Sequence, residues 1–226
     1  MPEPMVEFHN VSKAYRSAKT NKVILKNFSG VFPRGRNIGL LGVNGSGKST
    51  LIRMIAGAEF PDSGKIRRHV KVSFPLGFAA FKGNLSGREN CRFVARIYGL
   101  ETRSVERFVE EFSELGKYFD MPVATYSSGM KSRVSFGVSM AVDFECYLVD
   151  EALSVGDGIF KARADAIFAA KRERASIILV SHSPGTIRQY CDMGAVLSRG
   201  RLKLYDRLED AIDAYQAVTH NLGTFE

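Results

Sequence analysis

Gly42-Val43-Asn44-Gly45-Ser46-Gly47-Lys48-Ser49 lies between an apolar run that reads as a buried strand, Ile38–Leu41, and a run that reads as a helix, Thr50–Ala56. The stretch matches G-x-x-x-x-G-K-[ST], the pattern of a phosphate-binding loop. Glycines let backbone N–H groups point at phosphate oxygens, and the N-terminus of the following helix adds positive potential. The alternative is a glycine-rich turn that binds nothing. A match of all eight positions between a strand and a helix argues against that alternative.

The loop supplies the predicted contacts to a nucleoside triphosphate and its Mg²⁺. Lys48 is expected to reach the β- and γ-phosphates, and the Ser49 hydroxyl is expected to hold the metal. The residues predicted to bind the nucleotide here are Gly42, Asn44, Gly45, Ser46, Gly47, Lys48, Ser49 and Thr50.

The composition is that of a cytoplasmic globular protein. The 226 residues are 45% hydrophobic, which predicts one domain with a full core. No run approaches the ~18 apolar residues of a membrane span, and Met1–Met5 lacks the pattern of a signal peptide. Cys91, Cys146 and Cys191 form no C-x-x-C pair, which fits reduced thiols.

Apolar strands alternate with helices along most of the chain, which implies a largely parallel sheet covered on both faces. Between them, Ser86 to about Phe119 and Lys131–Ala141 have helical spacing and indicate an inserted helical lobe. The other predicted strands are Val6–His9, Val23–Val31, Val70–Phe74, Tyr147–Val149, Ile177–Val180, Gly194–Leu197 and Leu202–Tyr205. The other predicted helices are Ile159–Arg172, Pro184–Tyr190 and Leu208–Val218.

Two of the buried strands end in residues suited to nucleotide chemistry. Asp150 and Glu151 end one strand; an Asp there helps to hold Mg²⁺ in P-loop ATPases, and a base one residue later can orient the attacking water. His182 ends another strand, where it could contact the γ-phosphate. Each could instead be an ordinary exposed strand end, and only their combination with the phosphate loop favours the functional interpretation.

Ser127-Ser128-Gly129 opens the helix predicted at Lys131. A helix N-terminus of this kind can bind an anion, whereas its simpler interpretation is an N-cap in which a serine satisfies the first N–H groups. Both interpretations can hold at once.

These segments together, in this order, resemble the ATP-binding-cassette (ABC) family of ATPases over nearly the whole chain. Tyr126–Met130 resembles the family's Leu-Ser-Gly-Gly-Gln signature, because Ser128 and Gly129 match its Ser-Gly core, although Tyr126 replaces the Leu. The resemblance implies that the catalytic residues are Lys48, Glu151 and His182, that Ser49 and Asp150 hold Mg²⁺, and that ATP is further contacted by Ser127, Ser128, Gly129 and Met130.

The resemblance also implies the fold and the assembly. The expected fold is the α/β P-loop NTPase fold of ABC ATPases, with a mainly parallel core sheet, an antiparallel β subdomain and an inserted helical lobe. Residues 1–226 would form a single ABC ATPase domain, with a nucleotide-binding core at about 1–75 and 141–226 and a helical subdomain at about 76–140. Two copies would pair head to tail as a homodimer, each signature closing on the ATP of the other copy.

Three further positions follow from the resemblance. Tyr15 matches the aromatic residue that stacks on adenine, although a core tyrosine at a strand end is the alternative. Asp157 resembles the Asp of the family's D-loop, with looser spacing. The family's Gln after the third strand is missing, since Phe74–Phe78 contains none.

Several short segments are similar in sequence to those of the polysaccharide-exporting branch of the ABC family. They are similar to capsular polysaccharide export ATPases in particular. The segments that carry this likeness are Pro75–Phe78, Leu85–Asn90, Tyr126–Met130, Asp150–Asp157, Ser181–Pro184 and Gln189–Asp192. The likeness implies an ATPase at the cytoplasmic face of the inner membrane, held there by integral-membrane permease subunits, that moves a lipid-linked polysaccharide without contacting it directly.

Two alternatives stay open. The net charge of +8 permits a soluble ABC ATPase that acts on nucleic acid or ribosomes, although such proteins commonly carry two cassettes or long coiled-coil arms, and no nucleic acid partner is expected here. A GTPase is the second alternative, but the guanine-reading Asn-Lys-x-Asp is missing.

Arg88, Arg92 and Arg96 recur at a spacing that puts them on one helix face. This basic stripe is interpreted either as a surface that faces the membrane or an anionic polymer, or as a solvated face with local ion pairs.

Overall fold

The computed structural model describes residues 3–16, 21–75, 81–150, 158–181 and 183–221. Its contacts divide the chain into two compact units. The first unit comprises Met1–Pro75, Glu145–Glu151 and Ala175–Glu226, and the second comprises Leu76–Phe144 and Ala152–Arg174. The domain boundaries expected from the sequence stay a prediction.

The first unit contains two sheets. The antiparallel sheet has the order β2-β1-β4, from β1 (Pro4–Arg16), β2 (Asn21–Pro33) and β4 (Ser63–Arg68). The second sheet has the order β5-β6-β3-β7-β8, from β3 (Ile38–Leu41), β5 (Cys146–Asp150), β6 (Ser176–Val180), β7 (Met193–Ser198) and β8 (Arg201–Tyr205). Its first four strands are parallel and β8 is antiparallel. The mainly parallel core sheet and the antiparallel sheet expected from the resemblance are thus both present.

The parallel strands are buried because helices cover them. The helices of the first unit are α1 (Lys48–Ala56), α6 (Pro184–Tyr190) and α7 (Leu208–Asn221). Every residue of β3, β6 and β7 is buried, which explains why these strands read as continuous apolar runs. One hydrophobic cluster joins both sheets and α1, through residues such as Phe8, Leu40 and Leu51.

The second unit is helical. Its elements are α2 (Gly87–Tyr98), α3 (Thr102–Ser113), 3₁₀ turns at Gly116–Asp120 and Val123–Thr125, α4 (Ser128–Ala141) and α5 (Gly158–Arg172). The single helical stretch predicted from Ser86 to about Phe119 is divided because Gly99 adopts a left-handed conformation with φ 66° and closes α2. Phe112 is buried in this unit, and its ring centroid lies 5.5 Å from that of Phe136 and 4.8 Å from that of Phe160. None of the helices in the described part of the chain is both long and apolar enough to cross a membrane.

Two differences from the predicted strands have a local cause. The strand predicted at Val70–Phe74 reduces to a single bridge between Val72 and Cys146. Next to it, the Ser73 hydroxyl accepts the N–H of Leu148 at 2.9 Å, so a side chain replaces the main-chain carbonyl of a ladder. Strand β4 was not predicted, because it has little apolar alternation and is mostly exposed.

Two arginines of the basic stripe on α2 form ion pairs. Arg88 donates two hydrogen bonds to Glu110, at 2.9 and 2.7 Å, and two to Asp120, at 2.6 and 3.1 Å. Arg92 donates to Glu106 at 2.6 Å. Two of the three arginines thus have acidic partners and Arg96 is exposed, while the surface that the stripe faces stays a prediction.

Replacement of Arg88 with Met should lower the free energy of unfolding by about 2 kcal/mol. The reason is that the carboxylates paired with Arg88 lose their hydrogen-bond donor at a partly buried site. Hydrogen bonding to Arg88 lowers the pKa of Asp120 below its ordinary value of 3.8. That stabilisation is complete above pH about 4 and lost in stronger acid, so the difference between variant and parent should shrink as pH falls. Urea titrations at several pH values measure it. Arg96→Met, on the same helix and exposed, should change stability by less than about 0.5 kcal/mol; equal effects of the two would contradict the assignment.

Candidate nucleotide site

The phosphate loop joins the end of β3 to the start of α1, as the sequence predicts. Gly45 and Gly47 have φ of 76° and 109°, in the left-handed region that favours glycine. A Cβ at Gly47 would lie 2.6 Å from Ile24 Cγ2, and one at Gly42 would lie 2.5 Å from the carbonyl oxygen of Leu197. Space therefore requires glycine at Gly42 and Gly47, and the backbone conformation favours it at Gly45.

Polar groups in the loop are left available for an anion. Gly47, the N-cap of α1, offers no side-chain cap, so the first N–H groups of the helix stay open to a ligand. The Ser46 hydroxyl is buried and has no hydrogen-bond partner among the described residues. A glycine cradle with open N–H groups and an unsatisfied hydroxyl fits a bound phosphate.

Lys48 is the first residue of α1 and is only 6% exposed. Its ammonium group donates to the carbonyl oxygens of Gly42, at 2.7 Å, and Val43, at 3.1 Å. These bonds hold a positive charge inside the curve of the loop, where charge on a phosphate would be stabilised most strongly.

A cavity of about 370 Å³ opens over the loop. Its lining brings together residues that are distant in sequence: Lys22, Asn44, Gly45, Gly47, Lys48, Ser49, Thr50, Asp150 and Val180. Asp150 reaches it because β5 and β6 are parallel and end at the same edge of the sheet, where Asp150 pairs with Val180.

The cavity's donor set suits Mg²⁺ held jointly with phosphates. Ser49 and Asp150 supply a hydroxyl and a carboxylate oxygen to one cavity. Mg²⁺ prefers oxygen ligands and is commonly held by one or two protein groups together with substrate phosphates and water. No group of three or more His, Cys, Asp or Glu residues in the described ranges could hold a metal without such help.

Tyr15 lies beside α1 and is 42% exposed as a residue. Its hydroxyl donates to the Glu59 carboxylate and lies 3.4 Å from the Thr50 hydroxyl, which lines the cavity. Glu59 also accepts from Arg53 at 3.0 Å and pairs with Lys13 at 3.3 Å. An exposed aromatic ring fixed at its hydroxyl end is suited to stacking on a base.

The charge on Glu59 is stabilised by these neighbours. Burial raises the pKa of its carboxyl, but the hydrogen bonds from Tyr15, Arg53 and Lys13 outweigh burial and the pKa is lowered. The sequence pattern singles out neither Lys22, which lines the cavity, nor Glu59, which holds the Tyr15 hydroxyl. Both are polar residues in segments without a motif: Lys22 reaches the loop from β2, and Glu59 follows α1 and contacts Tyr15 of β1.

The signature-like segment begins α4 in the second unit. Ser127 is the N-cap and accepts the N–H of Met130 at 3.2 Å, as the capping interpretation predicts. Ser128 and Gly129 are exposed. Tyr126 is buried, donates to the Phe119 carbonyl oxygen and accepts the Gly87 N–H, both at 3.2 Å. The tyrosine in place of the family's Leu thus anchors the start of α4.

Four sequence predictions lie outside the described residues. They concern Glu151, Asp157, His182 and the segment Leu76–Phe78, which lacks the family's Gln. What the sequence indicates for them stays a prediction.

Comparisons with known proteins identify the family to which the chain is similar. The ABC transporter family profile matches residues 25–154. The polysialic acid transport ATP-binding protein KpsT of Escherichia coli is 49% identical over 94% of this chain and 99% of its own. The capsule polysaccharide export ATP-binding protein CtrD of Neisseria meningitidis serogroup B is 44% identical over 95% of this chain and 100% of its own.

A solved structure shows the same fold. The ATP-binding subunit of an ABC transporter superposes with a TM-score of 0.74 at 24% identity, over 94% of this chain and 98% of that one. The fold class expected from the sequence is confirmed. Because the profile matches more than half of the chain and the two relatives match nearly all of it, this chain belongs to the ABC transporter family and is a nucleotide-binding ABC ATPase.

Proposed function

We propose that this chain is the ATP-hydrolysing subunit of an ABC exporter of capsular or related lipid-linked polysaccharide. The observation that carries the proposal is the identity of 44% to 49% to capsule and polysialic acid transport proteins over nearly the full length of each. Identity at that level extends well beyond the motifs that all ATP-binding cassettes share, and so it supports a common substrate class.

We assign complementary roles to the residues that line the cavity and to those named from the sequence. Lys48 and the open N–H groups of α1 bind the phosphates, while Ser49 and Asp150 hold Mg²⁺, which neutralises charge on the phosphate oxygens when bound. Tyr15 stacks on adenine. Glu151 aligns the attacking water, and His182 holds the γ-phosphate.

A second copy of the chain completes the site. The exposed start of α4 offers Ser128, Gly129 and two uncapped N–H groups to a neighbour, as an ATP-closing surface requires. Closure of the homodimer on ATP and its reopening after hydrolysis would drive permease subunits between inward- and outward-facing states at the cytoplasmic face of the inner membrane.

The test is purification of the tagged chain from detergent-solubilised membranes of its native cell. We expect an integral-membrane permease to co-purify, and ATP to be hydrolysed with Mg²⁺. The Glu151→Gln variant should bind ATP, dimerise and turn over poorly, which would trap the closed complex. Recovery of nucleic acid or ribosomes without any membrane protein would favour the alternative ABC ATPase instead.

A further inference from the structure

Lys22 projects from β2 onto the phosphate loop. It lies near the start of that strand, two residues before Ile24, which also contacts the loop. Ile24 packs so closely on the loop that a Cβ at Gly47 would lie 2.6 Å from it. A Cβ at Gly45 would lie 3.6 Å from the Lys22 ammonium nitrogen. The ammonium group therefore stands beside the Gly45 end of the loop.

This position puts a second cation at the cavity. Lys22 lines it together with Lys48, Ser49 and Asp150. It also lines a neighbouring cavity of about 270 Å³ that shares Asn44 and Gly45, as expected of a side chain that lies over this end of the loop.

The charge of Lys22 is not neutralised by the part of the protein that the structure describes. No carboxylate in those ranges forms an ion pair with it, whereas Lys13 is paired with Glu59 and Asp62. Unpaired lysines are common on surfaces, so exposure alone carries no meaning here. What distinguishes Lys22 is its place beside a cradle of N–H groups and a buried lysine.

We propose that Lys22 binds a phosphate oxygen of the nucleotide and so raises the affinity for ATP and ADP, an inference that rests on the proposed nucleotide site. An ammonium group offers three donors on a flexible stem and forms charge-assisted hydrogen bonds with phosphate. Lys48 approaches from inside the loop and Lys22 from β2, so the two cations act on different sides of the polyphosphate.

The experiment measures binding of ATP, ADP and adenosine by isothermal titration calorimetry. Lys22→Met should weaken the binding of ATP and ADP by about fivefold to tenfold, which is the size of one exposed charge-assisted contact. Binding of adenosine, which has no phosphate, should not change. Lys22→Arg should retain most of the affinity because it keeps the charge.

Lys26→Met is the matched control, since Lys26 lies on the same strand, is exposed and does not line either cavity. It should bind ATP like the parent, and all variants should have the parent's thermal unfolding midpoint. Unchanged ATP affinity in Lys22→Met would overturn the inference, and so would an equal loss of adenosine binding, which would indicate a structural effect. Failure of the parent chain itself to bind ATP would overturn the proposed function, and the inference with it.

Discussion

Replacing Lys48 with Met should reduce ATP hydrolysis by at least about 100-fold, the size seen when a charge-stabilising group is lost from a buried site. Lys48 is 6% exposed, and its ammonium group lies inside the loop against the carbonyl oxygens of Gly42 and Val43. Met has a similar length and fills the same space, so the change removes the charge with little change of shape. ATP affinity should fall as well, because the loop then has only N–H groups to offset the phosphate charge from inside.

Steady-state phosphate release and nucleotide titration measure the two effects. Lys65→Met is a suitable control, because Lys65 is an exposed lysine on β4 that does not line the cavity. Its turnover should match that of the parent. A Lys48→Met variant that keeps its fold and hydrolyses ATP at the parental rate would exclude Lys48 from the chemistry.

The elements around the loop could be predicted from sequence because each one carries a local signal. Ile38–Leu41 and Ile177–Val180 are buried on both faces and therefore read as continuous apolar runs. The helix at Pro184–Tyr190 was predicted with its observed bounds, since Pro184 follows a serine N-cap. Where the signal is not local, prediction fails, as for the exposed β4, whose ladder depends on β1.

The residues of the candidate site likewise differ in whether a local sequence signal identifies them. Motif residues such as Lys48 and Asp150 were predicted because a spacing pattern identifies them. Lys22 and Glu59 were not, because Lys22 meets the loop from β2 and the role of Glu59 depends on its contact with Tyr15 of β1. The arginines of α2 show the same limitation, since their partners Glu106 and Glu110 come from another helix and no spacing within α2 indicates them.

Gly129→Ala should impair the ATP-driven dimerisation of two copies without impairing the stability of the single chain. Gly129 is helical and exposed, and a Cβ there would meet nothing nearer than the Ser127 hydroxyl at 4.0 Å. Alanine in a helix is favoured over glycine by up to about 1 kcal/mol, so the variant should be as stable as the parent or slightly more so. Binding of ATP to a single copy should not change, because Gly129 is not part of the cavity over the phosphate loop.

ATP-driven dimerisation should nevertheless fall by at least about tenfold, because glycine in such a segment allows close approach of its backbone to a phosphate. Light scattering with a non-hydrolysable ATP analogue measures the dimer, and turnover should fall in parallel. Gly185→Ala is the matched control, since Gly185 likewise occupies the second position of a helix capped by a serine and its Cβ would make only ordinary contact, 3.6 Å from the Ser183 hydroxyl. Because both substitutions fit their own helices, a dimerisation defect confined to Gly129→Ala would arise from contact with another copy, and parental dimerisation in that variant would remove the start of α4 from the shared site.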